Sequence, residues 1–284
     1  MAASTLTEVS NQIQKYWSPI FTKQLREALL LGGLVDKKYQ GAIARQGDTV
    51  RVSQVNAPTG QLLTVGTNAD SFESEAISTS YVDIVADKRA VASYEFQDLV
   101  ELQSQISNEN PEVMEALKFA MAKKINDYLY TLVNPSTSAP DHNRSSITDF
   151  NASELATNRM LAAQAKWPQD GRWYALLDPS YYSDLMNAST LASSDYGAAD
   201  APTISGQVAL KRFGFNILED NSRSTDTGLL FHPDFLHMVS QTEVQVKISD
   251  LHSNKRFGVV MSTDMVFGAK LGISGNVKHI KVYN

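Results

Sequence analysis

The sequence predicts an α+β fold in which one long helix lies across a sheet. Two observations support this prediction. A single apolar stripe at helical spacing runs from about residue 110 to 133, which suits a helix with one buried face. Residues 244–283 alternate between apolar and polar side chains, which is the period of β-strands. Because helix and strands come from distant parts of the chain, the domain that they form is expected to be discontinuous.

The composition is that of a globular protein. The chain has 284 residues, of which 43% are hydrophobic and 20% are charged, so it can bury a sizeable core. No apolar run reaches the roughly 18 residues that a membrane-spanning helix needs. The first residues have neither the basic region nor the apolar core of a signal peptide. The absence of cysteine excludes disulfides and thiolate sites and is compatible with folding in a reducing cytoplasm.

The charge balance argues against tight binding of nucleic acid. The net charge is -6, whereas tight binding depends on many contacts between Lys or Arg and phosphates. Between Met1 and Thr22 the charged residues are Glu8 and Lys15, so this segment is not a basic arm. We therefore expect weak contact with DNA at most.

The first forty residues predict two helical pieces, the second with Ser18 as N-cap and Pro19 at its first position. Gly32-Gly33 is predicted to end it. A strand follows from Thr49 to Val55, and strand-like alternation resumes at Tyr81.

The connection between these two strands is long, and such connections within a compact domain are usually functional. No Lys or Arg lies between Arg51 and Lys88. The acidic residues there are Asp70, Glu73, Glu75, Asp83 and Asp87. One interpretation is a solvated surface loop. The other, which we favour, is a two-stranded flap that lies on a basic surface of a neighbouring molecule.

Basic residues occur elsewhere as scattered doublets, which are either solvated surface or partners of the acidic flap. The candidate intersubunit contacts are the acidic residues Asp70, Glu73 and Glu75 and the basic residues Lys88, Arg89, Lys123, Lys124, Lys211 and Arg212.

The middle of the chain predicts a long helix from Asn110, a good N-cap, to about Val133. Its apolar stripe consists of Met114, Leu117, Met121, Ile125, Tyr128 and Leu132. A loop is predicted over 134–149. After it, Asn151 and Glu154 form a capping box for a helix that runs to about Trp167. Later elements are predicted as strands over 173–177, 208–218, 228–231, 244–249, 257–261, 265–271 and 277–283, a short helix over 178–186 and a loop over 187–205. The strands after residue 243 are expected to form the sheet beneath the long helix.

The sequence contains none of the motifs of dinucleotide, phosphate, zinc-protease or serine-hydrolase sites that we sought. His232 and His237 are five positions apart, which places them on one face of neither a helix nor a strand. We interpret them as ordinary loop and strand residues. The sequence therefore predicts no catalytic residue, no metal site and no cofactor.

The order of these elements resembles that of the major capsid proteins of tailed bacteriophages, which share the Hong Kong ninety-seven type fold. Residues 39–41, followed by 47–52, are similar to the way many such coats enter their extended loop. Residues 82–84, with Asp87-Lys88, look like its returning strand. Residues 172–179 look like the axial-domain strand and helix. The resemblance covers nearly the whole chain, and the order of the elements supplies its specificity.

The resemblance implies a division of the chain. The expected parts are an N-terminal arm over 1–45, an extended loop over 46–88, a peripheral domain over 89–149 with a spine helix over 110–133, an axial domain over 150–235, and peripheral-domain strands over 236–284.

The resemblance also implies a function that is structural and not enzymatic. The chain would assemble with copies of itself into hexamers and pentamers of an icosahedral shell around double-stranded DNA. Further expected partners are a portal protein and a scaffold, which would be a separate protein or a segment that has been cleaved away. No membrane partner is expected. The protein would be assembled in the host cytoplasm and lie in the virion. Because no lysine precedes Lys88 in the loop, a loop-borne crosslink is not expected.

Two alternatives stay open at this point. A bacterial nanocompartment shell shares this fold and differs in enclosing an enzyme. A cytosolic α/β enzyme with an unrecognised site belongs to a different class of protein, and a discrete small oligomer would favour it.

Overall fold

The computed structural model describes residues 27, 29–39, 49–65, 72–97, 111–133, 142–188, 211–240, 245–252, 256–273 and 276–284. The helices predicted before residue 29, Asp70 and most of the predicted 187–205 loop lie outside these ranges. The described helices are α1 (Leu31–Leu34), α2 (Pro111–Leu132), α3 (Ala152–Gln164) and α4 (Pro179–Asn187). The described strands are β1 (Thr49–Val55), β2 (Thr79–Val85), β3 (Lys88–Phe96), β4 (His142–Arg144), β5 (Trp173–Leu177), β6 (Lys211–Arg212), β7 (Phe215–Glu219), β8 (Thr227–Phe231), β9 (Leu236–Ser240), β10 (Gln245–Asp250), β11 (Val259–Leu271) and β12 (His279–Tyr283).

A six-stranded mixed sheet has the strand order β4-β12-β8-β5-β7-β6. The β12–β4 and β5–β7 pairs are parallel, and the others are antiparallel. Helices α3 and α4 contribute Leu155, Tyr181 and Leu185 to a buried cluster with Trp173 and Phe215 of the sheet. This half of the molecule therefore has its own aromatic-rich core.

The second sheet is organised around β11, the longest strand. It pairs with β3 along one side and with β10 and then β9 along the other, all antiparallel. Helix α2 packs on β3 and β11. Its buried residues Met121, Ile125 and Leu129 join Phe231 and Phe267 in a cluster to which both sheets contribute. The long helix thus packs against both halves of the molecule and connects them.

Local signals explain where two helices begin. The Asn151 side chain accepts a hydrogen bond of 3.1 Å from the backbone N–H of Glu154, as the capping box predicts. Asp178 caps α4 by accepting from the N–H groups of Ser180 and Tyr181. Because Asp178 is buried, these hydrogen bonds replace the water that its carboxylate loses on folding.

Several sequence predictions agree with the structure. β1 and β5 have the predicted bounds, and α2 spans the predicted helix. The apolar stripe of α2 is confirmed in outline, but Leu129 is fully buried where the sequence interpretation chose Tyr128, which is half-buried. The four-residue step from Ile125 to Leu129 continues the buried line because a helix repeats at 3.6 residues per turn.

Other predictions are wrong. Gly32 and Gly33 lie inside α1 and do not end a helix there. The predicted 134–149 loop contains β4, and the predicted 208–218 strand is a hairpin of β6 and β7. Phe213 and Gly214 both have positive φ, at 49° and 85°, the backbone geometry of a two-residue hairpin turn. β3 and β9 were not predicted.

The C-terminal strands are also distributed differently. The two predicted strands over 257–261 and 265–271 form one continuous strand, β11. β12 does not join the sheet beneath α2, because it pairs with β8 and β4 in the six-stranded sheet. Alternation indicates that a strand has two different faces, but it does not identify the partner strand.

Candidate intersubunit surface

A flap extends from the subunit at β1 and β2. The two strands pair antiparallel along their full lengths, from Thr49 opposite Val85 to Val55 opposite Thr79. Beyond them, side-chain hydrogen bonds connect the two legs at Asn56 with Ser78, Thr59 with Glu75, and Gln61 with Glu73. The flap is therefore a connected two-legged arm well beyond its strands.

The base of the flap is fixed to the body of the subunit. Val52 and Ile84 are buried in a small cluster with Val239 of β9 and Ile273. At Gly268 of β11 the backbones approach so closely that an added Cβ would overlap the carbonyl oxygen of Val85. The direction in which the flap leaves the subunit is thus set by close packing.

The outer part of the flap exposes large apolar side chains. Leu62 is 99% exposed, Val65 90%, Phe72 77% and Ile77 86%. Single exposed apolar residues are ordinary on protein surfaces, but a group of them on one projecting segment marks an interaction surface. We call Leu62, Val65, Phe72 and Ile77 the apolar flap group. The part of the chain that the structure describes leaves this group uncovered.

The acidic residues of the flap have different environments. Asp83 forms a bidentate ion pair with Arg51 at 2.7 and 2.8 Å, and this partner lowers the pKa of Asp83. Glu75 accepts a hydrogen bond of 3.0 Å from the backbone N–H of Thr59. The carboxylate of Glu73 makes no ion pair or hydrogen bond within the described ranges. Of the two candidate acids that the structure describes, Glu73 is thus the one whose carboxylate has no partner within the described ranges.

Two candidate basic residues lie at the start of β3. Lys88 Nζ is 3.0 Å from Asp87 and 5.9 Å from the ring centre of Tyr128 on α2. Arg89 forms an ion pair of 2.7 Å with Asp264 of β11. Both residues already have acidic partners in their own chain, so they are weaker candidates for the flap than their sequence suggested.

The other basic residues are on α2 and β6. Lys123 forms an ion pair with Glu27, whereas Lys124 lies exposed beside it. Lys211 and Arg212 make up β6, the edge strand at the opposite end of the six-stranded sheet from β4. The doublets therefore lie on separate elements, and the intersubunit role of the candidate residues stays a prediction.

A polar pocket that the sequence did not indicate lies between the end of α2 and the six-stranded sheet. Its volume is about 220 Å³. The lining residues are Asp127, Tyr130, Val133, Ser222, Arg223, Ser224, Thr227 and Lys281. They come from three distant segments, which explains why no local pattern predicts the pocket.

A buried hydrogen-bond network forms the inner wall of this pocket. The Tyr130 hydroxyl donates to the carboxylate of Asp220, which also accepts from the backbone N–H and hydroxyl of Ser222. Asn126 of α2 donates to Ser222 at 3.4 Å and accepts from the N–H of Gly32 at 3.3 Å. The network connects α1, α2 and the β7–β8 turn.

The two histidines considered in the sequence have ordinary polar partners. His232 Nε2 lies 3.0 Å from Asp170, and His237 Nδ1 lies 2.9 Å from Asp36. Among the residues that the structure describes, no cluster of three or more His, Cys, Asp or Glu side chains is arranged to bind a metal ion. No helix in the same ranges has the length and apolar character needed to cross a membrane.

Comparison with known proteins gives matches in structure alone. No protein-family model and no curated protein matches the sequence. A solved chain of Mycobacterium phage Che8 matches with a TM-score of 0.76 at 20% identity, covering 95% of this chain and 96% of that one. A chain of the capsid of Cyanophage P-SCSP1u matches with a TM-score of 0.75 at 18% identity, covering 97% and 94%.

A chain of the Cyanophage Pam1 capsid matches with a TM-score of 0.69 at 14% identity and covers 100% of this chain and 99% of that one. Such low identities establish the fold and leave function to be argued from the residues. The P-SCSP1u and Pam1 structures, whose names both include the word capsid, are matched along nearly the full length of their chains. The chain therefore has the fold of phage capsid proteins, the Hong Kong ninety-seven type that the order of its elements predicts.

Proposed function

We propose that this chain is the major capsid protein of a tailed phage, which self-assembles into the icosahedral shell around the double-stranded DNA genome. One observation carries the proposal beyond the fold. The apolar flap group projects from the subunit on a well-connected arm and lacks cover within the described residues. Exposed apolar area of this kind is stabilised when a neighbouring molecule buries it.

A closed shell supplies that neighbour to every copy. In a symmetric assembly each subunit presents the same surfaces, so each flap finds the same receiving surface on the next copy. Each contact can be modest, because one subunit is held by several neighbours and the contacts reinforce one another. The flap therefore suits a lattice of identical subunits, with hexamers and pentamers as its units.

The remaining partners follow from this role. A portal protein and a scaffolding protein would join the assembly in the host cytoplasm, and the finished shell would belong to the virion. The net charge of -6 supports weak contact with the packaged DNA, since tight contact requires many basic residues. Such a surface would not hold back DNA that must enter and leave the shell.

Negative-stain microscopy and sedimentation velocity of the purified protein test the proposal. We expect closed shells, or hexamers and pentamers that convert to shells as the protein concentration rises. A single small oligomer at every concentration and ionic strength, with or without co-expressed scaffolding protein, would overturn it. Particles that enclose an enzyme and protect no DNA in infected cells would instead identify a nanocompartment. The phage structures that match do not favour that alternative.

A further inference from the structure

The polar pocket holds two cations close together. Arg223 and Lys281 both line it, and burial, together with the charge of Arg223, lowers the pKa of Lys281. The Arg223 guanidinium lies 4.9 Å from the ring centre of Tyr130, and its Nε donates to Thr227 at 3.2 Å. Its Nη1 is buried and has no hydrogen-bond partner in the described ranges. An unpaired donor of a charged group is costly, so a small movement of this side chain towards an anionic acceptor would stabilise it.

Apart from the polar contact between Arg223 and the Tyr130 hydroxyl, the described residues of the pocket do not supply that acceptor. Asp220 is occupied by Tyr130 and Ser222, and Thr227 donates its hydroxyl to the carbonyl oxygen of Ser224. Asp127 also lines the pocket, but no described carboxylate comes within ion-pair distance of Arg223 or Lys281. The donors that remain are those of the two cations. Such a pair of donors suits an oxyanion, because Arg and Lys make their strongest hydrogen bonds to charged oxygen acceptors.

We propose that this pocket receives the carboxylate of Glu73 from the flap of a second copy of the chain. The inference rests on the proposed shell function, since it requires neighbouring copies. Two observations select Glu73. It is exposed and unpaired within the described residues, whereas Glu75, Asp83 and Asp87 have partners in their own chain. It also follows Phe72 of the apolar flap group, so the contact that covers that group brings Glu73 to the same neighbour.

The size and position of the pocket agree with this occupant. The volume of about 220 Å³ far exceeds the roughly 10–15 Å³ of probe-occupied volume that a single water molecule needs. It can therefore admit the end of a glutamate side chain together with some water. The pocket lies at the end of α2, whereas the flap of the same copy is anchored on β9 and β11. Within the described ranges Glu73 makes no ion pair with Arg223 or Lys281 of its own copy, so we assign the pairing to two copies.

A charge exchange tests the pairing. Glu73→Arg alone and Arg223→Glu alone place like charges together, and each should lower the yield of sedimenting shells by at least about tenfold. The double variant Glu73→Arg/Arg223→Glu restores an opposite pair and should recover the yield to within about threefold of the wild type. Lys118→Glu combined with Glu73→Arg is the matched control, because Lys118 is exposed on α2 outside the pocket and is not a candidate intersubunit residue, and this combination should not recover assembly.

Thermal unfolding of each unassembled variant shows whether the subunit has folded. Arg223→Glu removes the hydrogen bond to Thr227 and could lower the melting temperature for that reason. In that case the exchange Glu73→Lys/Lys281→Glu tests the same pairing. A folded double variant that assembles no better than the worse single variant overturns the inference, provided that the wild type forms shells. Assembly of both single variants at wild-type yield overturns it as well. A wild type that forms no shells overturns the proposed function instead.

Discussion

Asp36 Oδ2 lies 2.9 Å from Nδ1 of His237, although the two residues are 201 positions apart in the sequence. Both side chains are buried. The backbones are joined as well, since Asp36 N donates to Leu236 O at 3.2 Å and Met238 N donates to Asp36 O at 2.9 Å. The segment that leads into the flap is thereby fixed to β9, next to the flap base.

Removing the carboxylate of Asp36 should destabilise the subunit. In Asp36→Ala the buried His237 Nδ1 loses its partner, and an unsatisfied buried polar group costs about 2 kcal/mol. Urea unfolding of the unassembled protein measures the change in the free energy of unfolding. The control is Asp87→Ala, whose partner Lys88 is exposed, and this variant should stay near the wild type. Equal losses in the two variants would contradict the structural importance of the Asp36–His237 contact.

His279 should make the subunit sensitive to acid. It is fully buried beside Phe235, burial lowers its pKa from 6.5 to about 4, and an interaction with the Val277 backbone offsets this only in part. Below pH 6.5 the unfolded chain binds a proton at this site that the folded chain does not. The stability that His279 contributes above pH 6.5 is therefore lost as the pH falls towards 4, by roughly 3 kcal/mol in all.

The variant His279→Phe keeps an aromatic ring in the core and removes the titration. Its free energy of unfolding should fall less than that of the wild type between pH 7 and pH 4, as measured by urea unfolding at both values. His252→Gln, at an exposed histidine, should leave the wild-type difference intact. If His279→Phe shows the same loss on acidification as the wild type, another group is responsible.

The apolar flap group should control assembly and not folding. Leu62→Ser and Phe72→Ser change side chains that are 99% and 77% exposed, so the free energy of unfolding should stay within about 0.5 kcal/mol of the wild type. The yield of shells in sedimentation should fall strongly, because the apolar area that a neighbour would bury is removed. Val52→Ser, in the buried flap base, should instead destabilise the subunit itself. If the Leu62 and Phe72 variants form normal shells, the apolar flap group does not belong to the interface between copies.

A methyl group at Gly268 should disrupt the flap base. In Gly268→Ala the added Cβ overlaps the backbone of Val85, which cannot move aside as a flexible side chain can. We expect a loss of about 3 kcal/mol or more in the free energy of unfolding. Gly60→Ala is the control, since nothing lies within 4 Å of the added methyl group, and it should fold normally. Circular dichroism during urea unfolding compares the two variants.

Local preferences explain which elements the sequence predicts. Thr49–Val55 and Trp173–Leu177 are strands because of their own β-branched, aromatic and aliphatic residues, and Asn151 marks a helix start through one short hydrogen bond. β4 could not be predicted in this way. It consists of the polar residues His142–Arg144 and exists because β12 offers a parallel edge from the other end of the chain.

The candidate intersubunit surface could be predicted from the sequence in part. The one-sided charge of the flap is visible in the sequence, whereas the apolar flap group was not predicted, because the exposure of its side chains depends on the fold. That Asp83 is neutralised by Arg51 depends on strand register, which becomes evident only when β1 and β2 are paired. Arg223 and Lys281 line the same pocket because the six-stranded sheet packs against α2, so no spacing of residues in the sequence predicts that they meet.

The position of β12 between β4 and β8 affects when the subunit can fold. While residues 279–283 are still inside the ribosome, the six-stranded sheet lacks an interior strand, and β4 has no neighbour with which to pair. This half of the molecule is thus completed only after β12 has been synthesised. The parallel β12–β4 pair therefore forms late, after every residue that precedes β12 in the chain has been made.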